Sequence, residues 1–398
     1  MSADEQAFRA EVRSALAARL RPRAADAGFS FLGAGQDDLT AGRALLGALA
    51  DGGWAVPTWP AQWGGRAATP EQAAIIAHEL ARFEVPDLYP FMVGVALVGP
   101  TLLAHGTDAQ KARWLPKIAS GEEIWCQLFS EPDAGSDLAA LSTRAVVDGD
   151  QWRVTGQKVW SSRAHYSRRG LLLARTDPDR PKHAGITAFA LDMQTSGVEV
   201  RPLRQMNGDT HFNEVFMTDA VVDDADRVGE VGDGWQVAIT TLMHERGALG
   251  PGGGPGRREL IELVRRGGGA GDPLVRQRAA AVVTDLEVGR LTNLRAREAR
   301  RAGRPPGPEG SGAKLRGAAT IKALSDLALD LEGLGGLVPS AGEAQWLTLF
   351  LTAPSISIRG GTDEIQRNIL GERVLGLPPE PRPDKGVPFK EVPRSVPS

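Results

Sequence analysis

Gln151–Val159 reads QWRVTGQKV, with Trp152 and Val154 in alternation, and this two-residue period decides how the chain is divided. Four more short β-prone runs follow it: Gly170–Ala174, Gly185–Asp192, Val198–Val200 and Phe212–Val222. Gly, Asp and Pro cluster between them, as in Thr176–Lys182, where turns are expected. The period predicts an antiparallel β domain over 126–230.

Outward from that block the period changes to that of a helix. In the N-terminal region, 1–125, Phe8, Val12, Leu16 and Leu20 recur every fourth residue, after a capping-box pattern of Ser2 with Glu5. Ala73–Phe83 places Ile75, Ile76, Leu80 and Phe83 on one face, and Asp108–Lys117 reads as a further helix with Pro116 marking its boundary. Tyr89–Ala104, YPFMVGVALVGPTLLA, is the most apolar stretch. It is shorter than the roughly 18–20 residues of a membrane span and contains Gly and Pro, so it is expected as a core helix. On the C-terminal side, Trp235, Ile239, Leu242 and Met243 form a stripe, and Leu274–Arg301 and Ala313–Leu334 are helix candidates joined by the loop RAGRPPGPEGSG. A helical region is therefore expected over 231–378, followed by a proline-rich tail, 379–398, extended on the surface or disordered.

Helices, then strands, then helices define an α+β class, unlike the strand-helix alternation of a dinucleotide fold. Gly250–Gly256, GPGGGPG, follows a helix and lacks G-x-G-x-x-G spacing, so it reads as a helix break. The 398 residues are 42% hydrophobic and 24% charged with a net charge of −3, which gives no basic excess for nucleic acid. A single cysteine, Cys126, excludes an intrachain disulfide and fits a cytoplasmic location. It is expected as a small buried apolar residue.

Three separated segments carry the chemistry: Gln127–Leu138 (QLFSEPDAGSDL), Gly156–Ser162 (GQKVWSS) and Gly360–Asn368 (GGTDEIQRN). In order and placement they resemble the motifs of acyl-CoA dehydrogenases over nearly the whole chain. The resemblance implies an N-terminal helical domain, a middle antiparallel β domain and a C-terminal four-helix bundle. It also implies FAD-dependent α,β-dehydrogenation of an acyl-CoA to a trans-2-enoyl-CoA, without a metal. Electrons would pass to an electron-transfer flavoprotein, and the assembly would be a homotetramer or a heterotetramer with a paralogue; the alternatives are a non-catalytic or complementing subunit of a heteromeric enzyme and a flavin oxidase or monooxygenase on the same fold. Leu128, Phe129, Ser130, Ser136, Trp160, Ser161, Ser162, Gly361, Thr362 and Glu364 are carried over as FAD-binding positions. Ser136, Arg246 and Gly360 are carried over as substrate positions. From the residues alone, Trp160 is also readable as a β-domain core residue, Glu131 and Asp137 as turn caps, and Thr362 as a helix N-cap.

Many members of that family carry their catalytic glutamate where this chain has Gly360. The isovaleryl-CoA and long-chain branches instead supply it from a helix, and the matching segment here is Leu242–Ala248, LMHERGA, with Glu245 as the implied base and His244 as its neighbour. A carboxylate shielded from water is a stronger base than a solvated one, as α-proton removal requires. Gly360 then leaves room for a branched or bulky acyl group, even a steroid side chain. The family's Arg-x-x-Phe-Gly segment has no counterpart, because no phenylalanine occurs between Glu245 and Ala313. Arg276, in Gly267–Gln277, is the replacement charge offered there.

Overall fold

The computed structural model describes residues 3–23, 37–248, 254–267, 269–304, 307–308, 310–338 and 344–392. Ser2 and most of Gly250–Gly256 lie outside the described residues. Six helices come first: α1 (Ala3–Ala17), α2 (Leu39–Ala50), α3 (Pro70–Leu80), α4 (Tyr89–Met92), α5 (Gly99–His105) and α6 (Asp108–Ala119). Val12, Leu16, Ile75, Ile76 and Phe83 close one core, as their spacing predicts. Asp108–Ala119 runs past Pro116, which sits in its last turn.

The apolar segment at Tyr89–Ala104 is a buried helix, but its middle, Val93–Val98, is wound as a π-helix. The cause is local. Pro100 has no N–H to donate and its ring crowds the preceding turn. Gly99 N–H instead reaches Gly94 O, one residue further back than in an α-helix. A Cβ at Gly99 would lie 2.0 Å from Trp59, so the same glycine also permits close packing.

Eight strands follow: β1 (Trp125–Leu128), β2 (Arg144–Asp148), β3 (Gln151–Ser162), β4 (Arg169–Arg175), β5 (Ile186–Asp192), β6 (Val198–Leu203), β7 (Phe212–Asp223) and β8 (Arg227–Val228). They form one sheet in the order β6-β7-β3-β2-β4-β5-β8, with β1 added to β4. The long ladders β3–β7, β4–β5 and β6–β7 are antiparallel, whereas β1 runs parallel to β4. β4 is buried along its whole length, and its alternation sorts two cores. Leu171 and Leu173 meet the N-terminal helices, while Leu172 and Ala174 meet Phe189 and Val215 behind the sheet. Trp114 and Trp125 seal the first interface edge to face at 5.4 Å. Each such buried large side chain is worth about 1.5–3 kcal/mol.

The chain then returns to helix: α7 (Gly234–Ala248), α8 (Arg257–Arg266), α9 (Pro273–Arg301), α10 (Gly310–Glu332), α11 (Leu334–Leu337), α12 (Gln345–Ile356) and α13 (Asp363–Arg373). Leu260, Leu263, Val282, Leu324, Leu327, Trp346 and Leu349 make the core of this bundle. Among the described residues no helix is long and apolar enough to cross a membrane.

Two expectations change. Met243 is 64% exposed, so it does not belong to the buried stripe of α7. The tail runs over the surface through 379–388, as one of the two expectations had it, but Phe389 is 5% exposed and its N–H donates to Arg180 O at 2.9 Å.

Candidate active site

Beyond β1 the chain turns tightly through Glu131–Ala134, whose backbone groups bond each other in both directions at 3.1 Å. The Glu131 carboxylate is 6% exposed. It accepts from Ser142 N–H at 2.7 Å, Ser142 Oγ at 3.0 Å, Thr143 N–H at 2.9 Å and Lys158 Nζ at 2.8 Å. Lys158, fully buried, also donates to Phe129 O at 3.1 Å. Val159 N–H donates to Ser130 O at 2.9 Å. Glu131 is thus not a turn cap but the anchor that ties the first motif to the second. Burial opposes its charge, yet Lys158 and the donors around it hold its carboxyl below the usual range.

The pairing of β3 with β7 is irregular between Lys158 and Ser161. Within that bulge Trp160 takes a left-handed backbone, φ 58°, and its indole is 60% exposed, edge to face with Phe212 at 5.8 Å. A left-handed conformation costs a bulky residue about 1–2 kcal/mol. The strain turns the indole out of the core, which disposes of the core reading for Trp160 and leaves a rigid aromatic wall facing outward. Ser162 is half-buried beside it. Ser161 faces inward at 1% exposure, and its carbonyl accepts from Asn213 Nδ2 at 3.0 Å. Leu128 and Phe129 are core side chains, so only their backbone faces the turn, while Ser130 is half-buried and Ser136 exposed.

The third motif lies in the turn between α12 and α13. Gly360 and Gly361 have φ of 65° and 90°, and Thr362 Oγ1 accepts from Ile365 N–H at 3.3 Å, as an N-cap should. Gln366, 2% exposed, donates to Gly360 O at 3.2 Å and holds the glycine turn in place. Sequence reading missed Gln366; its signal was a polar residue on the inner face of an amphipathic helix. A cavity of about 420 Å³ opens here, lined by Lys322, Ser357, Ile358, Thr362, Asp363 and Glu364. Glu364 points outward and pairs with Arg367. Lys322 and Arg367 line the cavity with the carboxylates of Asp363 and Glu364, so its anion-attracting feature is the N-terminus of α13.

Glu245 sits on α7, and the helix period shows which way. Gly234, Ala238 and Thr241 are buried, and Glu245 lies one turn beyond Thr241 on that face, half-buried. α7 is pinned to α5 by Thr101 Oγ1 with Thr241 Oγ1 at 2.9 Å and by His105 Nε2 with Thr240 Oγ1 at 2.8 Å. His244 lies on the exposed side with Met243. The side chain of Arg246 lies outside the described residues. Cys126 is fully buried, which pushes its thiol up to about 12 and leaves it inert.

The structure therefore joins the first two motifs directly. The bundle is linked to this edge through Asn207 Nδ2, which donates to Thr352 Oγ1 of α12 at 3.3 Å. An outward indole, the half-buried Ser130 and Ser162, and a positive-φ glycine turn at the N-terminus of α13 fit a flat cofactor with an anionic group, such as FAD.

Comparison with known proteins agrees across the chain. Residues 2–122, 126–220 and 232–375 match the acyl-CoA dehydrogenase N-terminal, middle and C-terminal domains. Acyl-CoA dehydrogenase IpdE1 of Mycobacterium tuberculosis is 41% identical over 95% of this chain and 99% of its own length. Acyl-CoA dehydrogenase FadE34 of the same organism is 44% identical over 83% of this chain, which spans only 46% of that relative. Among solved structures, the Tcur3481-Tcur3483 steroid ACAD superposes with a TM-score of 0.78 at 28% identity, over 96% of this chain and 99% of that one. The ChsE4-ChsE5 complex of Mycobacterium tuberculosis gives 0.75 at 29% identity, over 96% and 99%. With three matched domains and a full-length relative at this identity, the chain belongs to the acyl-CoA dehydrogenase family.

Proposed function

We propose that this chain removes the α-proton of a bulky acyl-CoA with Glu245 while the adjacent β-hydrogen leaves as hydride, giving a trans-2-enoyl-CoA. The observation that carries the reading is complementarity. Gly360 offers no carboxylate, and Glu245 extends the buried face of α7. FAD, held by Trp160, Ser130, Ser162, Gly361 and Thr362, supplies the hydride acceptor when bound. Glu245, in an environment drier than water, takes the proton; the Lys158–Glu131 pair keeps the first two motifs in register. Ser136 and Arg246 serve the thioester, and an electron-transfer flavoprotein takes the electrons in the cytoplasm.

The missing side chain at Gly360 favours branched or polycyclic acyl groups, in keeping with relatives whose structures are named steroid ACADs. Anaerobic mixing with a panel from butanoyl-CoA to steroid-side-chain thioesters, followed by flavin absorbance, tests this. The bulky thioesters should bleach the flavin fastest; faster bleaching by short straight chains would refute the substrate class.

A second reading is a heterotetramer in which a paralogue completes the cofactor site. It is favoured by the absence of any phenylalanine between Glu245 and Ala313, and by structural relatives that are two-protein complexes by name.

A further inference from the structure

The tail, expected to be extended on the surface or disordered, packs at Phe389 and Lys390 on the loop that follows β4. Phe389 and Lys390 N–H groups donate to Arg180 O at 2.9 Å and Pro178 O at 3.0 Å, so the tail is laced to the loop between β4 and β5. Lys390 also pairs with Asp179 at 2.5 Å. The Phe389 ring, 5% exposed, lies under the guanidinium of Arg175 at 3.7 Å. Such cation–π contacts gain strength when desolvated.

Arg175 is 4% exposed and connects in two further directions. One guanidinium nitrogen donates to Ala139 O at 2.7 Å and Leu141 O at 3.2 Å, the short helical turn that follows Ser136 and Asp137. The other donates to Lys182 O at 2.6 Å. Lys182 Nζ in turn bridges Asp137 at 2.7 Å and Asp384 of the tail at 2.5 Å. The neighbouring His183 ring stands edge to face on Trp235 of α7 at 4.8 Å. One loop therefore meets the tail, the motif turn and the helix of Glu245.

We propose that Asp384–Glu391 is a positioning strap: through Phe389–Arg175 and Asp384–Lys182 it fixes the Glu131–Leu141 segment, and with it Ser136, for the acyl-CoA. This rests on the reading of that turn as substrate-facing. Glu131, Ala134, Leu138, Ala139 and Leu141 are buried, but Pro132, Asp133, Gly135, Ser136 and Asp137 are exposed and a Cβ at Gly135 would touch nothing, so this exposed part is the one that gains from outside support. The exposed residues of such a turn open locally at less cost than its buried ends.

The test uses the full-length, flavin-loaded protein with Phe389→Ala, Phe389→Trp, Asp384→Asn and Ser136→Ala. Amide hydrogen exchange in a peptide spanning residues 131–142 should quicken about tenfold in Phe389→Ala and detectably in Asp384→Asn, as expected for loss of a local restraint. KM for the panel thioester with highest turnover should rise about fivefold, with kcat and FAD content unchanged, and Phe389→Trp should restore both exchange and KM. Unchanged exchange in both Phe389→Ala and Asp384→Asn overturns the strap. Faster exchange with no change of KM in Phe389→Ala or Ser136→Ala leaves the strap standing mechanically but defeats the substrate-facing reading of the turn.

Discussion

Lys158 and Glu131 form a buried ion pair, each satisfied by further polar groups. Removing one member of a buried pair strands the other charge and costs about 3–5 kcal/mol, whereas replacing both by apolar groups can be nearly neutral. Lys158→Met should therefore lower the urea midpoint sharply and release flavin. The double change Lys158→Met with Glu131→Leu should recover most of the midpoint but not the flavin, because the two motifs lose their common anchor. Equal midpoints for single variant and wild type would show that the pair does not hold the loops. Neither role was visible in the sequence: Glu131 read as a turn residue because its partner lies on another strand. Trp160 was legible only as a candidate, since the bulge that turns it outward depends on its pairing with β7.

At the scale of elements, β3, β6 and β7 were readable because one face is more buried than the other, β4 and β5 as apolar runs bounded by turn residues, and α9 and α10 because of their length. β1 and β8 were not. β1, WCQL, is covered on both sides, so it shows no alternation, and β8 is two residues long. The π-helical turn was hidden for a different reason: Gly and Pro read as breakers, while the surrounding core keeps the helix continuous. The N-terminal helices are clasped by Glu79, fully buried on α3, with Arg13 at 2.9 Å and Arg9 at 2.8 Å of α1, and with Arg82 at 3.3 Å. The Arg13 hydrogen bond, opposed by burial and aided by Arg9 and Arg82, draws the Glu79 carboxyl down to about 2. A depressed folded-state pKa adds stability above the unfolded value near 4.5, and that stability is lost as pH falls toward 2. The urea midpoint should fall between pH 5 and about 2.5, and Glu79→Gln, already destabilised at pH 7, should fall less steeply over that window. Parallel slopes for the two proteins would exclude Glu79 as a source of the pH dependence.

For the whole molecule, three regions each contribute one part: the N-terminal helices fix α7, the sheet displays Trp160, and the bundle carries the glycine turn before α13. The domain order and the three motifs were legible because they are local in sequence. The strap and the α5–α7 pins were not, because they join residues more than a hundred positions apart. The absent Arg-x-x-Phe-Gly segment belongs at this scale, since it concerns completion of the cofactor site by a neighbour. In the heterotetramer reading, native mass spectrometry of the chain expressed alone should find less than one FAD per chain, with the full complement restored by co-expression with its paralogue. A homotetramer carrying one FAD per chain by itself would remove the need for a paralogue.

The central claim is that the proton-abstracting carboxylate comes from α7 and not from the turn at Gly360. The direct measurement is anaerobic flavin bleaching by the best thioester of the panel, in the wild type and in Glu245→Gln. The bleaching rate should drop by a factor of about 10³ or more in the variant, on the scale of removing a general base. FAD content and thioester binding should be unchanged. Bleaching at the wild-type rate in Glu245→Gln would contradict the account.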